Sequence, residues 1–357
     1  MHLICLSIAV LFLSALSALA DFVPYNGSEV APNIAIIRIE DQGVRIELEI
    51  FVEDLPLFTD ILPDDWVPES VGIRDDLTAR LERFSRDGLS VRRADNTPLP
   101  VEVTLIDPRL RVDRASPMAG QQDPLTGQVV PSPPSDPRVL YTELFYSFGE
   151  ARPDALTIAP PLVDGTPSAT IGMLVYDRGV PVTEFRYLSA PATLRPDWSD
   201  PWYSRFDAKT LNRRTKDGTS TFLYLEPREV RHETLIRLRD LAPWIGVEFD
   251  TGDVLDASEQ ARLSEAAARF FASRNPVLID GVPSEPARAF AEILEMDFRG
   301  YQVIEEAEPL GVNGAFVGVI LSYPIETLPK TVSTTWHFFN DFILYTSQSP
   351  RDKSAYI

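Results

Sequence analysis

The chain has one cysteine and three histidines in 357 residues. The cysteine, Cys5, sits in the apolar N-terminal stretch. The rest of the chain therefore has no disulfide, no thiolate nucleophile and no cysteine metal ligand. His2 lies at the amino terminus, which leaves only His232 and His337. A zinc site needs three protein ligands or more, so imidazole supplies it poorly. Arg231-His232-Glu233 begins like a zinc-protease helix, but the position four after His232 is Ile236, not a second histidine. No Gly-x-Ser-x-Gly elbow occurs, and Ser220 and Ser322 read as strand-edge serines. No glycine-rich phosphate loop occurs either; Gly311-Val312-Asn313-Gly314 reads as a turn. Beyond the N-terminal stretch no apolar run reaches the roughly 20 residues that a bilayer span requires.

Cationic residues are also scarce: 33 Lys and Arg stand against 53 Asp and Glu, for a formal charge of −20. That balance repels nucleic acid and anionic lipid surfaces. It leaves basic partners and divalent cations as electrostatic matches. The 31 prolines suit a β-rich, loop-rich chain, because proline breaks helix interiors and is confined to strand edges.

Leu3 to Leu19 is almost wholly apolar and ends in Ala18-Leu19-Ala20. That small-x-small pattern fits the narrow pocket of signal peptidase. Residues 1–20 thus read as a cleavable signal peptide with Asp21 as the first mature residue. The expected location is periplasmic or secreted.

A constant offset of 186 pairs Val44, Arg45, Glu47, Ile50, Asp54 and Leu55 with Val230, Arg231, Glu233, Ile236, Asp240 and Leu241. The same register pairs Asp64, Leu77, Arg83, Phe84 and Val91 with Asp250, Leu263, Arg269, Phe270 and Val277. These 11 identities over 48 positions point to a tandem duplication, because they fall on matching elements. Each copy opens with a strand: residues 44–50 alternate apolar and charged, the period of a strand with one buried face. A helix follows, with Leu77, Leu81 and Phe84 on one side in the first copy. In the second copy Asp256 is the expected N-cap, with Glu259 closing a capping box, and Asn275-Pro276 stops the helix. Hairpin turns at Asp95-Asn96-Thr97-Pro98 and Asp280-Gly281-Val282-Pro283 come next. Further on, Ser147-Phe148 aligns with Ser322-Tyr323 at an offset of 175, and Pro153 with Pro329 at 176.

The fold this predicts is mainly β: two tandem antiparallel β-sandwich-like domains of immunoglobulin type, each with one packed helix, the second copy shorter. The expected boundaries are a first domain over 21–195, a linker over 196–222 and a second domain over 223–346, followed by a disordered tail over 347–357. The loop 107–138, rich in proline and polar residues, is expected to be mobile and dispensable.

Three candidate sites follow. Asp250, Asp253 and Asp256 supply three carboxylates around Gly252, oxygen donors of the kind calcium takes, although the spacing is not that of an EF-hand. Asp64-Asp65-Trp66 and Asp197-Trp198-Ser199-Asp200-Pro201-Trp202 place acids beside indoles, as sugar clefts do, and paired carboxylates can cleave glycosides. The short second copy predicts an unpaired sheet edge, with Phe338, Phe342 and Leu344 beside it as an apolar patch; these three, with Trp198 and Trp202, are the expected interaction surface. With no catalytic constellation in the chain, the leading expectation is a non-catalytic exported module that binds another envelope or extracellular protein. A carboxylate-dependent carbohydrate-binding or hydrolytic protein is the alternative.

Overall fold

The computed structural model describes residues 26–67, 72–123, 127–250, 252–304 and 308–336. The signal-peptide reading of residues 1–20 and the apolar patch at Phe338, Phe342 and Leu344 lie outside these, as do His337 and the tail 347–357. The protein is mainly β, with 41% strand and 21% helix arranged in several sheets. Among the described residues no helix is long and apolar enough to cross a membrane.

In the first half, β1 (Asn33–Ile39) and β2 (Gly43–Phe51) form a hairpin. The alternation read in the sequence holds: Val44, Ile46, Leu48 and Ile50 are fully buried, while Arg45 and Glu47 face outward and pair with other charges. Helix α1 (Leu77–Asp87) starts where the Asp76 carboxylate accepts the Ala79 N–H, and packs Phe84 into the core. There follow β3 (Ser90–Arg93), β4 (Val101–Leu110), β5 (Arg138–Ser147), β6 (Leu156–Ala159), β7 (Ile171–Asp177) and β8 (Ala192–Arg195). The larger sheet runs β7-β1-β2-β5-β4, and the smaller one includes β8-β6-β3. Side chains from both sheets and from α1 share one apolar core.

The second half follows the same order in part, with one strand added and, among the described residues, no counterpart of β7 or β8. Strands β9 (Thr219–Glu226) and β10 (Glu229–Arg237) form its hairpin. Helix α2 (Ala257–Arg274) begins with the expected Asp256–Glu259 capping box. Then come β11 (Val277–Ile279), β12 (Arg288–Asp297), β13 (Gly300–Val303), β14 (Ala315–Pro324) and β15 (Val332–Thr334). The sheet order is β9-β10-β14-β12-β13, and β11 and β15 pair in a separate small sheet. Pairings match between halves: Ile46 faces Ile37 and Leu144, and His232 faces Leu223 and Leu321.

Four expectations change. The strand equivalence past the long loop is set by Val44 facing Tyr146 and Val230 facing Tyr323, an offset of 177 rather than 175. The register to Phe84 makes Phe270 the expected buried ring of the second helix, but the fully buried ring is Phe271; Phe270 is only half-buried and stacks on Trp244. The larger sheet of the first half is not wholly antiparallel, because β7 runs parallel to β1. The loop after β4 is anchored: Arg114 pairs with the buried Glu49 at 2.8 Å, Arg111 donates to the Ala31 carbonyl, and Val130 is buried.

Candidate functional site

The two halves meet in a buried seam formed by the segment expected as a linker. Asp200 caps the short turn Pro201–Tyr203 by accepting the Trp202 N–H, which turns the indole inward. Trp202 is 3% exposed and packs 5.2 Å from Phe316 of β14, beside Val180 and Met296. Asp200 also takes both carboxylate bonds from Arg237, at 2.6 and 2.8 Å. Arg237 is 1% exposed, so this is a buried ion pair across the seam. Gly218 is needed beside it, since a Cβ there would sit 2.9 Å from the Arg237 Cδ. A second contact set has Tyr176 donating to Asp297 and Phe185 edge-on to Phe298 at 5.2 Å.

The acid-and-indole cluster is therefore committed to structure. Trp202 forms an internal contact rather than an outward surface. Trp198 donates its indole N–H to the Pro153 carbonyl and packs edge-on against Phe148, and Asp197 accepts from Ser199 and Asp200 of its own turn. Asp64 pairs with Arg74 and Arg80, leaving Trp66 exposed beside it.

Among the described residues no group of three or more His, Cys, Asp or Glu side chains comes together as a metal site. The Asp253 carboxylate accepts the Asp250 N–H, and that of Asp256 is taken up by the cap of α2, whose Glu259 N–H holds it below the usual carboxylate range. The offset of 186 sets His232 at the place of Ile46, an inward position of the strand, and His232 does face inward. Its Nε2 shares a 2.7 Å hydrogen bond with the Thr221 hydroxyl, and its Nδ1 is buried without a partner. Burial pulls its pKa down to about 4, so the ring is neutral at physiological pH.

The outward face of the second-half sheet was not singled out by the sequence. Strand pairing places Phe222, Glu233, Ile320 and Phe290 in one row across four strands. Tyr224, Arg231, Ser322 and Arg288 form the next row. At one end this face carries Leu235, Leu294 and Phe316 and is covered by Trp202 and Val180. At the other end Phe222 is 49% exposed and Phe290 is 55% exposed, with Tyr224 and Ile320 also open. The edge differs between halves as well. In the first half β7 lies along β1, whereas among the described residues no strand lies beyond β9. Period-two alternation in Thr219–Glu226 was the available signal, but its aromatic residues on the solvent side look the same in sequence as a buried strand. Comparison with protein-family models, with curated proteins and with solved structures finds no match for this chain.

Proposed function

We propose that the chain is an exported, non-catalytic module, periplasmic or secreted, that binds another envelope or extracellular protein through β9 and the open half of its sheet. The occupant is an extended, strand-forming segment of that partner, with apolar side chains at alternate positions. The observation that carries the reading is the open β9 edge beside Phe222, Tyr224, Ile320 and Phe290, a face continuous with the buried seam. An open edge offers unpaired N–H and C=O groups, and a partner strand that completes it takes specificity from alternate side chains. The first half supports the idea from within, because there β7 already occupies the corresponding edge. Export rests on the apolar stretch and Ala18-Leu19-Ala20.

The reading of the two halves as duplicated immunoglobulin-like copies belongs with this proposal. The shared element order and the matched pairings of Ile46 and His232 support duplication. The carbohydrate alternative loses its main support, since Asp200 and Trp202 are used in the seam. Calcium at Asp250, Asp253 and Asp256 would require the three carboxylates to be drawn together, since they do not form a ligand group as they stand.

A photo-crosslinking residue at position 222 or 290, introduced in the exporting cell, tests the binding face. The expected result is one discrete adduct, mapped to an extended segment of one protein and missing when the probe sits at Val163 or Leu110, exposed positions of the first half. A peptide of the mapped segment should bind the purified protein and fail to bind Phe222→Asp/Phe290→Asp. Equal adducts at all four positions, or a peptide that binds both forms alike, would overturn the reading.

A further inference from the structure

A pocket of about 470 Å³ opens beside the seam, lined by Val182, Tyr203, Phe206, Arg205, Lys209, Arg213 and Lys216 among others. Its charge is opposite to that of the molecule. Four cations line it, and the one carboxylate among them, Asp207, is taken by a two-point pair with Arg195. Two of the chain's four lysines are here. A cluster of this sign in a chain of charge −20 concentrates positive potential at one concave place.

Arg213 at its inner wall is 6% exposed. It donates to three backbone carbonyls, of Thr215, Pro181 and Trp202, and lies 4.0 Å from the Trp202 ring centroid. No carboxylate pairs with it among the described residues, because the neighbouring Asp200 is bound to Arg237. A guanidinium has five N–H donors, so two are left after these bonds. Burial, then the nearby charge of Arg237, lowers its pKa to about 10, which still leaves it cationic at neutral pH. A buried charge without an opposite charge is costly, and the pocket is where that opposite charge can sit.

We propose that this pocket binds a small organic anion, its acidic head on Arg213, Lys209 and Lys216 and its apolar body against the half-buried ring of Tyr203 and the lysine stems. Pockets of several hundred Å³ with apolar walls and a few convergent polar groups are the usual form of small-molecule sites. The anion would stand beside both the Trp202 and Arg237 contacts, so its binding should also stiffen the seam.

Calorimetric titration separates the parts, with hexanoate as head and body together, sulfate as the head alone and hexanol as the body alone. Saturable hexanoate binding tighter than about 1 mM is expected, weakening as salt is added. Lys209→Ala/Lys216→Ala should weaken it at least tenfold. Lys330→Ala/Arg274→Ala removes the same charge elsewhere on the surface and should leave binding unchanged. Both lysines of the pocket are exposed, so the first variant keeps its fold, and an unshifted thermal melt checks this. Sulfate binding as tightly as hexanoate would overturn the apolar half of the proposal. No saturable hexanoate binding, equal loss in both variants, or hexanol binding as well as hexanoate would overturn the whole.

Discussion

At the scale of single residues, His232 is the most informative departure from an apolar core. Its folded pKa of about 4 lies below the ordinary 6.5. Between these values the unfolded chain takes up a proton that the folded chain refuses. The contribution of this site is therefore complete above pH 6.5 and is lost as the pH falls toward 4. At the acid end of the window the loss is about 3 kcal/mol. His232→Ile copies the first half, which has Ile46 there, and should remove that part of the acid sensitivity. Urea unfolding from pH 7 to pH 4 checks it; equal slopes for both forms would contradict the assignment. The inward placement of His232 was legible, because the register to Ile46 is local and strand alternation fixes the face. The Thr221 bond was not, since it depends on the side-chain geometry of the neighbouring strand.

The Asp200–Arg237 pair makes the second residue-scale prediction. Asp200→Ala takes the two-point partner from the buried Arg237 guanidinium and leaves it only Asp240, at 3.7 Å, a loss of about 3 kcal/mol. Adding Arg237→Met to it should recover part of that loss, because the weakly paired charge goes too. A double variant no more stable than Asp200→Ala would contradict the pair's role. Nothing in the sequence joined these residues, which lie 37 positions apart on different elements.

At the scale of elements, helices and hairpins were the most legible features because their signals are short-range. Asp76 and Asp256 cap the helices, and Asp280-Gly281 turns with positive φ at both residues. What failed was fine register. The buried ring of α2 is Phe271 rather than Phe270, one residue or about 100° around the helix. Strand β4 carries an irregularity between Val103 and Leu105 that β12 lacks, so an ungapped alignment drifts there. Phe84→Ala and Phe271→Ala should each cost about 3–5 kcal/mol, and Phe270→Ala clearly less. Equal losses at Phe270 and Phe271 in thermal melts would contradict this rotation.

The loop after β4 is the clearest correction at this scale. Its composition promised a dispensable segment, yet Arg114 and Arg109 reach the buried Glu49, which is 3% exposed. Replacing residues 111–137 with a short Gly/Ser linker takes away the Arg114 partner. The expected cost is about 3 kcal/mol or more, read as a lower denaturation midpoint, and Glu49→Leu in the shortened protein should restore part of it. An unchanged midpoint in the shortened protein would contradict the anchoring. The Arg114–Glu49 contact spans 65 positions, which is why composition alone missed it.

At the scale of the whole molecule, the repeated element order was legible and the joint between halves was not. Residues 196–222 read as a linker, an aromatic stretch followed by a polar one, but Trp202, Phe206 and Arg213 are buried there. Net charge likewise concealed the cation-lined pocket, because an average over the chain carries no position. The seam covers one end of the outward face of the second-half sheet and leaves Phe222, Tyr224, Ile320 and Phe290 open. That partial cover is the basis for proposing the second half as the binding half, and it makes β9 and β1 an internal comparison: each opens the hairpin of its half, one is lined by β7, and the other has no strand beyond it among the described residues.

Amide hydrogen exchange on β9, in the free protein and in the crosslinked complex, tests this most directly. In the free protein the amides of β1 should exchange slowly and the edge amides of Thr219–Glu226 quickly. In the complex the β9 amides should become as protected as those of β1. Protection of Thr219–Glu226 already complete in the free protein, or unchanged in the complex, would contradict the account.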